Sequence, residues 1–381
     1  MTEGAFEQIS DLLAEGAKPR PREGVALCLS GGGYRAMLYH AGALLRLNEV
    51  GLLGKLHFVS SVSGGSIAAG VLARAWSRLE WRDGVAGNLQ DEVLEPMLDF
   101  AGRTVDVGSV LTGVVLPWVR ISDRLVGSYE KHLFGSTTLQ DLPDTPRFIF
   151  CATNLQSGVL IRFSKRYLWD YKVGQVPRPR LPLALAVAAS SAFPPVLSPV
   201  AVRLPGDAWS AESAELGTAE FRKELLLSDG GVYDNLGLEP VLKRCATILV
   251  SDGGGKLEPT GKVASDWARH TRRVLSVIDQ QVRNLRSRML VEGYDRKEYT
   301  GAYWGIRTPI AEYRLPDALP CPPTQAAALA ATDTRLAKLP VAHRRRLLNW
   351  GYAGCDASIR RWYPTGAEAP AAFPYPAEAL G

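Results

Sequence analysis

Apolar residues first cluster at positions 25–30, a short unbroken run of the kind a buried strand needs. Gly31, Gly32 and Gly33 interrupt it. From 36 to 50 the apolar residues Met37, Leu38, Ala41, Leu44, Leu45 and Leu47 return at helical spacing, and Gly51 closes the helix. The pattern then repeats: 56–62 is extended and apolar, Ser63, Gly64 and Gly65 form a tight turn, and 66–79 is helical. Two successive strand–glycine turn–helix units predict an α/β protein with a parallel sheet at its centre.

Further along, 91–124 reads as helical around a glycine-interrupted apolar stretch. Strands are expected at 147–154 and 159–164, joined through Gln156, Ser157 and Gly158. A short Ala-rich helix at 181–191 stops at Pro194 and Pro195. Two more strands, 225–228 and 246–251, each run into Asp-Gly-Gly. Helices are expected at 263–290, 325–338 and 342–361, and the Pro- and Ala-rich tail after Pro364 is expected to be loosely ordered. No linker divides the chain. The predicted organisation is a core at 22–255, a helical part at 256–363 packed on it, and a tail at 364–381.

Composition narrows the function classes. The net charge is +5 over 381 residues, too small to announce a partner among nucleic-acid polymers. Cys28, Cys151, Cys245, Cys321 and Cys355 are scattered without a C-x-x-C pair, which reads as reduced core thiols in a cytoplasmic protein. His40, His57, His132, His270 and His343 never stand at metal-ligand spacing, so no metal or other cofactor is expected. Residues 1–18 show no secretory signal, and no run approaches the roughly 20 apolar residues of a spanning helix.

The chemistry concentrates at the two glycine turns. Ser63 sits where a strand meets a helix, with small residues two positions to either side, Ser61 and Gly65. Such a sharp turn lifts a serine hydroxyl clear of the sheet, and only small neighbours fit around it. Ser60, Ser61 and Ser66 are less well placed to be the nucleophile. The loop of Gly31, Gly32 and Gly33 brings backbone N–H groups together at a helix N-terminus, where they stabilise negative charge. It lacks the G-K-[ST] of a Walker loop, and the following strand ends without the acid that a dinucleotide ribose needs. An oxyanion hole for acyl transfer fits better. For the base, Asp229 and Asp252 both stand at strand ends before Gly-Gly, and spacing does not separate them. His270 and His343 lie in Arg-rich helical stretches that read as solvated faces.

Four motifs in order carry a family resemblance: Leu29 to Arg35, the elbow at Ser61 to Gly65, Ala188 to Pro195, and Asp229 to Gly237. Together the chain resembles the patatin-like phospholipase family, related to cytosolic phospholipase A2. The resemblance implies a three-layer α/β/α sandwich with a mostly parallel central sheet, followed here by C-terminal helices. It implies a Ser–Asp dyad with Ser63 as nucleophile and Asp229, rather than Asp252, as base. Gly31, Gly32, Gly33 and Arg35 become the oxyanion site. The sequence departs from the family at Ser61, where the first elbow glycine belongs. The implied activity is cleavage of carboxylic esters of lipids or phospholipids, releasing free fatty acid. Soluble acyl esters or thioesters, or a nucleotide-gated membrane-degrading effector with a small-molecule activator, are the alternatives. A regulator that keeps the glycine loop without turnover is another, and homo-oligomers stay open.

Charge is unevenly spread. Residues 269–297 and 333–361 each carry +5, leaving −5 for the remainder of the chain. This raises the expectation of peripheral contact with anionic lipid headgroups. The apolar stretch 107–119, with Trp118, is either a lid or part of the core.

Overall fold

A computed structural model describes residues 24–105, 121–194, 197–211, 213–255, 257–363 and 366–381. The stretch 107–119, expected to be lid or core, lies outside the described residues, as does the N-terminal segment.

Among the described residues a ten-stranded sheet organises the fold. Its strands are β1 (Val25–Leu29), β2 (Phe58–Ser61), β3 (Arg147–Asn154), β4 (Val159–Phe163), β5 (Tyr167–Asp170), β6 (Gly174–Pro177), β7 (Val200–Arg203), β8 (Glu224–Asp229), β9 (Thr247–Asp252) and β10 (Thr300–Gly305). The spatial order runs β10-β9-β1-β2-β3-β4-β5-β6, with β8 also paired to β3 and β7 to β8. From β10 to β3 every pairing is parallel. β4 to β6, β7 and β8 join antiparallel. β9 is buried at every position, which is why its sequence reads as an apolar run without alternation.

The principal helices are α1 (Gly33–Glu49), α2 (Gly64–Ala75), α3 (Leu183–Ser190), α4 (Trp267–Asp295) and α5 (Val341–Trp362). Side chains of β1 alternate between two cores. Leu27 and Leu29 face a large cluster with Met37, Leu44, Ile67 and Leu348 from α1, α2 and α5. Ala26 and Cys28 face Leu236, Leu238, Val241 and, from α4, Leu290. The sheet is thus sandwiched between helical layers, as expected. All five cysteines are buried and free.

Two expectations are corrected. The C-terminal part is not purely helical: β10 lies within it and extends the parallel sheet by pairing with β9 from Thr247 to Asp252. Its glycines, Gly301 in second place and Gly305 at the end, hide it from propensity, and its place is fixed by a non-local partner. The tail is not loosely ordered either. Phe373 and Leu380 are buried, and Asn349 of α5 binds the backbone of Tyr375 and Glu378. Arg345 adds an ion pair to Glu378 at 3.1 Å. Among the described residues no helix is long and apolar enough to cross a membrane.

Candidate active site

The site lies where two strands meet end to end. β2 runs parallel to β3 until Ser61 faces Phe150. β8 approaches along the same strand from the opposite direction until Asp229 faces Ala152. The chain leaving β2 and the chain leaving β8 therefore converge, which brings Ser63 and Asp229 together from 166 residues apart in sequence.

Ser63 adopts φ 52° and ψ −121°, a conformation that L-residues rarely hold outside strained turns. The turn is tied down from several sides. Its N–H donates to Ser190 Oγ at 3.1 Å, and the Gly65 N–H donates to Ser30 O at 3.1 Å. Beneath it, Ser66 Oγ donates to Ser61 Oγ at 2.9 Å and meets Ser190 Oγ at 2.8 Å. Ser190 in turn donates to Cys151 O at 2.7 Å. The serine at position 61, where the family pattern has glycine, is thus a member of a buried hydroxyl network under the elbow. A β-carbon on Gly64 would stand 2.2 Å from Gly33 O, and one on Gly65 2.3 Å from Leu29 O, so both glycines are required by close backbone approach.

Asp229 is buried. Its Oδ1 accepts the Gly231 N–H at 2.7 Å, while Oδ2 has no hydrogen-bond partner among the described residues. Burial pushes its pKa up to about 7, opposed by the Gly231 hydrogen bond and by the nearby Ser63 hydroxyl. Asp252 differs in every respect that matters to a base. Its Oδ2 accepts Tyr303 OH at 2.7 Å and its Oδ1 the Gly254 N–H at 2.8 Å. Although burial alone raises its pKa, the adjacent Arg283 guanidinium and these hydrogen bonds bring the balance below the ordinary carboxylate value.

The glycine loop borders the serine: a β-carbon on Gly31 would lie 3.1 Å from Ser63 Cβ. The Gly31 N–H is already committed, donating to Asn235 O at 3.1 Å. Among the described residues the Gly32 and Gly33 N–H groups have no acceptor. Gly32 and Gly33 sit at φ 145° and φ 58°, which suits glycine and turns the loop sharply into α1. Arg35 is buried and points toward the loop after β9. Its Nε donates to Gly253 O at 3.0 Å and its Nη1 to Thr332 O, leaving Nη2 without a partner among the described residues. Burial, reinforced by Arg283 and Arg307, lowers its pKa to about 10.

The histidines stand apart. His40 is buried between Ser251 Oγ (2.8 Å) and Ser30 O (2.9 Å), and burial lowers its pKa to about 4. His270 is exposed on α4, and His343 Nε2 meets Thr332 Oγ1 at 2.8 Å. Sequence reasoning missed three contributors: Ser190 under the elbow, Asn235 behind Gly31, and Arg335, whose carbonyl accepts the Tyr34 N–H at 3.2 Å. Ser190 and Asn235 fall inside the motifs that carry the resemblance. Arg335 comes from a distant segment and left no local signal.

A strained serine between strand and helix, a glycine loop with free amides and a three-layer sandwich define an α/β fold of the acyl-hydrolase type. Residues 27–242, more than half of the chain, match the family model described as Patatin-like phospholipase, and the chain belongs to that family. Among solved structures, it is similar to human GIVD cytosolic phospholipase A2 in complex with methyl γ-linolenyl fluorophosphonate. That match has 14% identity and a TM-score of 0.50, covering 91% of this chain and 59% of that one. At this identity the likeness speaks for the fold alone, and the chain spans about three-fifths of the human protein's length. VipD from Legionella pneumophila also matches, at 15% identity and a TM-score of 0.30, over 87% of this chain and 83% of that one. No curated protein matches the sequence.

Proposed function

We propose that this protein hydrolyses carboxylic esters of lipids or phospholipids through a Ser63–Asp229 dyad and an acyl-enzyme, releasing free fatty acid. One observation carries the reading: the buried carboxylate of Asp229, with a free Oδ2 and a pKa near neutrality, lies beside a serine held in a strained elbow.

In the first half-reaction Ser63 Oγ attacks the ester carbonyl while Asp229 takes its proton. An isolated aspartate, with a pKa of about 3.9, is too weak a base for this; burial strengthens it. The tetrahedral oxyanion accepts from the N–H groups of Gly32 and Gly33, which no acceptor among the described residues occupies. Gly31, anchored to Asn235, holds the loop in register, and Arg35 supports it from behind through Gly253 and Thr332. The proton on Asp229 passes to the departing alcohol. Water then enters and attacks the acyl carbonyl as Asp229 takes its proton; that proton passes to Ser63 Oγ as the acyl–oxygen bond breaks, releasing the fatty acid and restoring the free serine. The human relative's fluorophosphonate ligand is in keeping with such a serine.

The test is fatty-acid release from phospholipid vesicles and from a soluble short-chain ester. Ser63→Ala and Asp229→Asn are each expected to lower turnover at least about a thousandfold. His270→Ala and His343→Ala should leave it within about twofold. Loss of activity in either histidine variant with the fold intact would overturn the dyad.

A further inference from the structure

Helix α4 is built inside out. Its charged residues Arg283 and Arg286 turn toward the protein body, Arg286 reaching Glu239 at 3.1 Å and Asp234 at 3.6 Å. Its apolar residues turn to solvent instead: Trp267 is 82% exposed, Leu275 58%, Ile278 54% and Leu285 58%. Val274 and Met289 are exposed as well. At about 100° per residue these six side chains fall within an arc of about 100°, whose centre lies about 120° round the helix from Leu290, which is buried in the core. A row of large apolar groups along a single helix is not the scattered exposure that folded surfaces tolerate.

The direction of the helix adds a second observation. Tyr294 OH donates to Ile248 O near the start of β9, at 2.7 Å, whereas Arg283 binds the carbonyl of Gly255, just past the end of that strand. α4 therefore runs back along β9, and residues 267–282 extend beyond the C-terminal end of the parallel strands. At about 1.5 Å per residue that overhang measures about 24 Å. It is steadied by Arg273, which donates to Glu258 O at 2.9 Å, and by Gln280, which accepts the Leu257 N–H at 3.2 Å. Ser63 stands at the same end of the sheet. The helix carries six arginines against three acids, and His270 and Arg288 border its apolar row.

We infer that α4 is the element with which the protein docks on an anionic lipid surface, its outward row entering the headgroup–acyl boundary and its cations meeting lipid phosphates. A long, largely polar helix with one apolar face bordered by basic side chains is suited to lie in that boundary, and Trp267 is suited to its depth. The inference rests on the proposed lipid hydrolysis, because docking there turns the serine's end of the sheet toward the substrate's own surface. Leu275, Ile278, Val282, Leu285 and Met289 also follow the spacing of a coiled-coil seam. Trp267 and Val274 widen the row beyond such a seam, which favours a lipid surface over a second helix.

The experiment compares the full chain with a Trp267→Ser, Leu275→Ser, Ile278→Ser, Leu285→Ser variant. Flotation is measured with vesicles of phosphatidylglycerol and phosphatidylcholine, and with phosphatidylcholine alone. The expected result is flotation of the unsubstituted chain with the anionic vesicles, weakened by added salt, and at least a tenfold drop in the variant. Turnover of a soluble short-chain ester by the variant should stay within about twofold, which also shows that it is folded. Equal flotation of both proteins, or none by either, overturns the docking role while leaving the esterase reading intact. A variant that floats normally but changes from dimer to monomer by light scattering assigns the row to self-association and also overturns it. Absence of soluble-ester turnover in the unsubstituted chain would instead count against the proposed hydrolysis.

Discussion

Asp229 and Asp252 look interchangeable as letters, each closing a strand before Gly-Gly, and their surroundings make them opposites. Asp252 spends both oxygens on Tyr303 and Gly254 beside Arg283 and is held as a carboxylate. Asp229 keeps Oδ2 free in a buried position, so its proton is lost only near pH 7. The difference lies in Tyr303 and Arg283, both distant in sequence, for Asp252 and in desolvation for Asp229, and neither is written in the local sequence. Two consequences follow from the raised pKa. In its proposed role as base, Asp229 must be ionised, so kcat/KM for a soluble ester should climb about tenfold per pH unit below 7 and level off above it. For stability the sign is reversed. Between the unfolded value of about 3.9 and the folded value of about 7, the folded protein binds the extra proton, so stability falls as pH rises through that window. Above pH 7 the cost reaches at most about 4 kcal/mol. Asp229→Asn removes it, so the variant should melt higher than the parent at pH 8 and alike at pH 4. Equal melting shifts at both values would contradict the buried ionisation.

The strand–turn–helix units β1–α1 and β2–α2 were legible because each is local: a buried run, a glycine turn and a helical period within about 25 residues. β8 was legible as a strand but not in its direction. Its antiparallel approach to β3, which delivers Asp229, depends on pairing with residues 152–154. β10 and the docked tail were missed for the same reason, since distant partners hold them. The crossing of α1 and α5 is a further non-local fact. A β-carbon on Gly351 would stand 1.8 Å from Tyr39 O, and one on Gly42 1.9 Å from Leu348 O, so the two helices touch backbone to backbone. Gly351→Val should therefore destabilise the protein by more than about 3 kcal/mol in thermal unfolding. Gly127, in the helix Ile121–Tyr129, has open space at its β-carbon position. Gly127→Ala should be neutral or stabilising by up to about 1 kcal/mol. Similar effects from both substitutions would show that the crossing is not as close as described.

Across the whole molecule, the modest net charge conceals a division of labour. Part of the basic C-terminal region turns inward: Arg360 of α5 pairs with the buried Asp356 at 2.9 Å, and Arg46 of α1 reaches the same carboxylate at 2.8 Å. Part faces outward along α4 beside its apolar row. The C-terminal third is thus no appendage: it supplies the outermost parallel strand, the helix that seals α1, and the Thr332 and Arg335 carbonyls that hold the glycine loop and the start of α1. All of these converge on the claim that Ser63 is a nucleophile activated by Asp229. The most direct measurement is peptide mass spectrometry after exposure to a fluorophosphonate probe near pH 8. The account predicts one stoichiometric adduct, on Ser63, formed far more slowly in Asp229→Asn and at an unchanged rate in His343→Ala. An adduct on another serine, or rapid labelling of Ser63 in Asp229→Asn, would contradict it.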